Sequence, residues 1–114
     1  MPRKRPMPSE YQAMWLFAMF DLPVVSPEDR REYTRFRTAL LNEGFTMLQF
    51  SVYARYIDSE EAAKAQRRSI RGVLPPGGEV RLLAVTDHQF GKMEVFREKK
   101  RGKAESAPEQ LMFL

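Results

Sequence analysis

The sequence has no cysteine and a single histidine. The first absence excludes disulfides and thiolate metal sites and makes a reducing cytoplasm the expected compartment. The second leaves His88 alone in the chain, with no triad to activate a serine such as Ser51. His88 therefore reads as a turn residue, and Ser51 as a backbone or bulge hydrogen-bonding residue. There is no long apolar run either. The longest, Ala13 to Phe20, has 8 residues, against roughly 20 for a membrane span, so no membrane association is expected. The opening "MPRKRPMPSEYQAMWLFAMF" places basic residues before a hydrophobic stretch. Asp21 and Pro23 end that stretch, and no small-residue cleavage site follows. It reads as a polar arm leading into a strand. A phosphate-cradling glycine loop is also missing, because Gly77 and Gly78 follow Pro75 and Pro76, which makes a tight turn.

What is present is enough for one domain. The 114 residues are 43% hydrophobic, sufficient for a core. Nineteen Lys and Arg outweigh fifteen Asp and Glu, for a net charge of +4, which favours an anionic partner such as nucleic acid.

Residues 1–13, with three prolines and "RKR", read as a flexible arm. Residues 14–21 form a short, aromatic-rich buried strand with no polar alternation. Ser26 is an N-cap, with Pro27 at the first helical position and Glu28 and Asp29 in the first turn. That helix runs to about Asn42 and stops at Gly44, with Tyr33, Phe36 and Leu40 on its packing face. Residues 45–57 read as two short strands, or one bent strand, broken near Gln49 to Ser51. Asp58 or Ser59 caps a second helix that ends before "LPPGG", with Ala63, Ile70 and Leu74 as its core stripe. Residues 79–86 are a strand, "DHQFG" a turn or single helical turn, and "KMEVF" a last short strand. Residues 97–114 read as a flexible tail with an apolar end. The order is β-α-β-β-α-β with an additional short C-terminal strand, an α+β, ferredoxin-like pattern over residues 14–96 with an antiparallel sheet.

Two sets of charges bear on function. In the first helix, Arg30 and Arg31 follow Asp21 closely enough to hold a phosphate, although Glu28, Asp29, Glu32 and Glu43 also allow an internally paired, solvated face. Arg35 and Arg37 share that helix. In the second, Lys64, Arg67, Arg68 and Arg71 recur at i, i+3, i+4 and i+7 and make one basic stripe, suited to phosphate contacts that carry no base readout. Tyr53, Tyr56 and Phe50 fit core or dimer packing better than base stacking. Asp21 itself fits a turn cap helped by Pro23, or a rigidly presented carboxylate.

The segments "FAMFDLP", "RREYTRFRTALLNEGFTMLQFSVYAR" and "LPPGGEVRLLAVTDHQFGKMEVF", in this order over about residues 14–96, resemble the CRISPR-associated adaptation protein Cas-two, in the form found with type II systems. The resemblance implies a homodimer that sits between integrase subunits and holds a protospacer DNA duplex. It also implies metal-dependent endonuclease activity on RNA or DNA, with Asp21 as the catalytic and metal-binding residue. Two such carboxylates near a dimer axis repel unless a cation lies between them. Mg²⁺ (or Mn²⁺) suits the position, because it takes oxygen ligands and keeps several waters. The alternatives are a free-standing toxin-type endoribonuclease, or a structural DNA adaptor without catalysis. Both termini fall outside the resemblance. The end "LMFL" is apolar, and Leu111, Met112 and Phe113 are expected to be taken up by the domain itself or by a partner, adding to a sheet edge; the resemblance points first to the integrase subunit and then to the dimer mate.

Overall fold

The structure is a computed structural model and describes residues 13–98 and 100–107. Strand β1 (Met14–Asp21) is followed by helix α1 (Pro27–Asn42), strands β2 (Thr46–Gln49) and β3 (Val52–Ile57), helix α2 (Glu60–Arg71) and strand β4 (Glu79–Thr86). A short helix α3 (Asp87–Gly91) and strands β5 (Val95–Arg97) and β6 (Lys100–Gly102) complete the described chain. Four strands form one antiparallel sheet in the order β2-β3-β1-β4. That is the ferredoxin-like arrangement expected from the sequence.

Local chemistry sets each boundary. Ser26 and Asp29 close a reciprocal capping box at the start of α1. The helix ends where Gly44 takes φ of 93°, a conformation that favours glycine. Ser59 caps α2. The β2–β3 connection is a tight turn at Phe50 and Ser51, with an irregular register beside it and φ of 62° at Ser51.

Strand β1 lies between β3 and β4 and divides the core in two. Leu16, Ala18 and Phe20 alternate toward the helices, where they pack with Phe36, Leu40, Tyr53, Ile57, Ala63 and Ile70. Complete burial of a side chain such as Phe36 contributes roughly 1.5–3 kcal/mol. On the other face, Trp15 and Ala54 pack with Phe90 of α3. The Trp15 and Phe90 rings stack at 4.0 Å, and Trp15 Nε1 donates to Asp87 at 2.6 Å. Burial, and then the carboxylates of Asp87 and Asp58, push the Tyr56 phenol above its ordinary value beside this cluster. Both faces are thus covered at the Trp15 end of the strand, which accounts for its continuous apolar sequence.

Three features depart from the sequence reading. Leu74 is not in the core stripe of α2: it lies beyond the helix and is 44% exposed, and Gln66 takes the buried place between Ala63 and Ile70. The last strands stand apart from the main sheet as a two-stranded β5–β6 hairpin. The hairpin also gives strand geometry to residues 100–102, inside the segment read as a flexible tail, because the polar composition there hides the pairing with Val95–Arg97. The apolar end, with Leu111, Met112 and Phe113, and nearly all of the N-terminal arm lie outside the described residues.

Gln66 is buried because it bridges two charges. Arg55 Nη1 on β3 donates to Gln66 Oε1, and Gln66 Nε2 donates to Glu43 at 3.1 Å, at the end of α1. Gln66→Leu strands both half-buried partners and is expected to cost about 1–3 kcal/mol. Thermal unfolding should show a fall in Tm of at least about 4 °C; an unchanged Tm would show that the bridge does not stabilise the fold.

Candidate metal and nucleic-acid site

Asp21 is the last residue of β1 and is exposed. Strand alternation puts it on the face of Trp15, Phe17 and Met19, opposite the long helices. Its neighbours fix its backbone from both sides. The Ser51 carbonyl accepts a hydrogen bond from Phe20 N–H at 3.1 Å, and Asp21 pairs with Glu79 on β4. Glu79 is itself engaged by Arg81 at 3.0 Å. Gly78, with φ of 79°, passes directly against Asp21: a Cβ there would lie 2.4 Å from the Asp21 carbonyl oxygen. The tight turn read at Gly77 and Gly78 is therefore also the clamp that sets the end of β1.

The apolar cover of this face stops short of Asp21. Phe90, Met93 and Ala104 protect the Trp15 end. Toward Asp21, Leu83, opposite Phe17, is 51% exposed, and Met19, flanked by Val52 on β3 and by exposed Arg81 on β4, is only partly buried, as is Val52. Asp21 thus borders a half-open apolar surface.

Among the described residues no three His, Cys, Asp or Glu side chains gather into a metal site. One chain offers a single free-standing carboxylate at this place, with Glu79 turned to Arg81. Such a donor fits a hydrated Mg²⁺ or Mn²⁺ shared with a second carboxylate, and does not fit a closed zinc site.

The basic residues predicted from the sequence do not all gather around Asp21. Arg30 folds back over the β1–α1 connection and donates from Nη1 to the carbonyls of Val25 at 2.9 Å and Val24 at 3.4 Å. It therefore lies just beyond Asp21 along the chain, with part of its hydrogen-bonding capacity used. Arg31 is exposed on the outer side of α1. Arg35 pairs with Glu32 at 2.8 Å and donates to Val73, so it ties α1 to the α2–β4 connection. Lys64, Arg68 and Arg71 are exposed and Arg67 is partly so, on one stripe of α2 away from buried Ala63, Gln66 and Ile70. This stripe is on the helix side of the sheet, the side opposite Asp21. Its Lys64 end neighbours Asp58, Glu60 and Glu61; its Arg71 end approaches the α2–β4 connection.

The β2–β3 turn holds more than its sequence signals. Ser51 does make the anticipated backbone hydrogen bond, and its Oγ also lies 3.1 Å from the Tyr33 hydroxyl. Tyr53 is buried in the core as expected, whereas Phe50 is 77% exposed and does not belong to it. A period-two pattern cannot place Phe50, because the turn residue leaves the alternation.

The class defined here is a ferredoxin-like α+β domain whose central strand ends on an exposed carboxylate, with a separate basic helix face behind the sheet. The family model for CRISPR associated protein Cas2 matches residues 14–93. Over 98 residues the chain is 48% identical to a "CRISPR-associated endoribonuclease Cas2" of Parvibaculum lavamentivorans, covering 86% of this chain and 97% of that one. It is 38% identical over 103 residues to the protein of the same name from Flavobacterium psychrophilum, with 90% of each chain covered. It is 45% identical over 100 residues to that of Acidovorax ebreus, covering 82% of this chain and 98% of the relative. The chain belongs to the Cas2 family, as the resemblance in its sequence implied.

Gly78→Ala forces a Cβ against the Asp21 carbonyl and a non-glycine residue into positive φ. It is expected to lower Tm by at least about 5 °C and to shift the backbone amide resonances of Asp21 and Leu22. Unchanged resonances there would show that the glycine does not set the site.

Proposed function

We propose that this protein works as a homodimer that binds nucleic acid in CRISPR adaptation, the acquisition of new spacers. Asp21 of the two copies together would hold Mg²⁺ or Mn²⁺ for phosphodiester cleavage. The observation that carries this reading is Asp21 itself, an exposed carboxylate clamped at the end of the central strand, at the border of a half-open apolar face. Covering that face with a second copy removes Leu83, Met19 and Val52 from water. It also brings two carboxylates toward one axis, where their repulsion favours a shared cation. Family membership and the relatives' name, endoribonuclease, support the nuclease part.

When bound, such an ion supplies a Lewis acid for water activation and for charge developing on the phosphodiester. Asp21 holds and orients that centre. Arg30, beside the same strand end, adds positive charge within reach of a phosphate. On the helix side, Lys64, Arg67, Arg68 and Arg71 bind backbone phosphates irrespective of sequence. The partners in this reading are a protospacer DNA duplex, RNA as a further substrate, and the integrase subunit of the adaptation complex. A second reading, a DNA adaptor without catalysis, is favoured by one observation: the basic stripe lies across the sheet from Asp21, so duplex binding there does not require the carboxylate.

Three measurements test the proposal. Sedimentation at micromolar concentration should give the mass of a dimer; a monomer overturns the shared site. Asp21→Asn should abolish metal-stimulated cleavage of RNA and DNA with Tm unchanged, whereas full activity in the variant removes Asp21 from catalysis. If that variant also supports normal spacer acquisition, the adaptor reading holds. Reversing Arg67 and Arg71 to Glu should weaken duplex binding and make log affinity less steep against log salt, by about 0.9 for each phosphate that is no longer neutralised. An unchanged slope means the stripe is only a solvated face.

A further inference from the structure

Phe50 is the most exposed aromatic side chain among the described large hydrophobics, at 77%. It is not loosely held. Its ring stacks on Tyr33 of α1 at 5.8 Å between centroids and 20° between planes. The Tyr33 hydroxyl in turn lies 3.1 Å from Ser51 Oγ, the next residue of the same turn. Ser51 holds φ of 62°, and its carbonyl is bonded to β1 through Phe20 N–H. A left-handed residue, a hydroxyl pair and a ring stack thus fix an aromatic face that still meets water. Burial elsewhere does not explain it, because Tyr33 belongs to the helix side of the sheet, and the half-open apolar face lies on the other side.

The charges around Tyr33 are sorted. Arg30 at i−3 and Arg37 at i+4 lie along one edge of the Tyr33 position, by the helical repeat of 100° per residue. Glu28, Asp29 and Glu32 lie toward the other edge, in the pocket that Tyr33 shares with Leu22, Pro23 and the Pro75 turn; Asp29 is closed in the capping box and Glu32 is paired with Arg35. The Tyr33 position thus has two arginines on one edge and carboxylates on the other. An exposed aromatic face beside cationic side chains is the combination that holds an unpaired base by stacking and its phosphates by charge.

We propose that Phe50, supported by Tyr33 and bordered by Arg30 and Arg37, is a stacking site for one unpaired base of a nucleic-acid strand. The site is distinct from the Asp21 face. It gives the protein a preference for strands that carry unpaired nucleotides over blunt duplex. The inference rests on the nucleic-acid-binding reading given above and adds a place and a ligand chemistry to it.

The test uses the full chain, a fluorescent pyrimidine single strand, a blunt duplex of equal length, and EDTA to suppress cleavage. Phe50→Ala and Phe50→Leu should each weaken single-strand binding by at least about fivefold. Phe50→Tyr should bind as the wild type does, and duplex binding should change by less than about twofold in all three. Leucine separates ring stacking from simple apolarity. Equal single-strand binding by Phe50→Ala overturns the stacking site while leaving the nucleic-acid-binding reading intact. Wild-type protein that binds neither strand nor duplex overturns both. Sedimentation of Phe50→Ala as a monomer, where the wild type is a dimer, also overturns it, because Phe50 is then a contact between copies.

Discussion

The fold depends on one strand that must satisfy two faces at once. β1 runs between β3 and β4, so its backbone is paired on both edges. Its alternate side chains enter two different apolar clusters. An antiparallel strand usually shows one wet face; here α3 and the segment around Met93 and Ala104 cover the second face, but only at the Trp15 end. The cover runs out toward the other end, and there the sequence changes from phenylalanine to aspartate. The carboxylate is therefore exposed by the architecture, while the backbone that carries it is held by β4 on one edge and by the Ser51–Phe20 bond on the other.

This arrangement divides the molecule's chemistry between two sides. The apolar half-open surface and Asp21 share one face. The basic stripe of α2, Arg30 of α1 and the pair of Tyr33 with Phe50 of the β2–β3 turn lie on the other, and meet the first set only around the strand end. The connections that pass that end have specialised backbones: Gly78 lies against Asp21, and Ser51 is left-handed while bonding to Phe20. The left-handed Ser51, uncommon for a residue other than glycine, persists where surrounding structure over-determines it. In the function proposed above, the carboxylate face meets a second copy and the helix face meets a phosphate backbone.

Much of this is legible in the residues. The capping box at Ser26, the stop at Gly44 and the unbroken run before Asp21 are local signals, and each marks the element that forms there. The identity of α2's buried face is only partly legible. Leu74 looks like the next core position but falls beyond the helix, while Gln66 looks like a surface residue. It is buried because Arg55 and Glu43, distant in sequence, reach it from β3 and α1. The β5–β6 hairpin is hidden for a related reason, as charged residues around 97–102 give little period-two signal. For the candidate site, the sequence singles out Asp21 and two groups of basic side chains as candidates. It has no means of showing that the sheet lies between Asp21 and the stripe of α2, or that Phe50 stays outside the core. Those facts depend on pairing register and on the sense of a two-residue turn.

In the proposed function, Asp21 is half of a metal site completed by a second copy. Mn²⁺ titrated into the intact protein, with the free ion followed by its electron paramagnetic resonance signal, tests this. A shared site predicts one tightly bound Mn²⁺ for every two chains, and none in Asp21→Asn at the same oligomeric state. One ion per chain, or binding that survives the loss of Asp21, would contradict it.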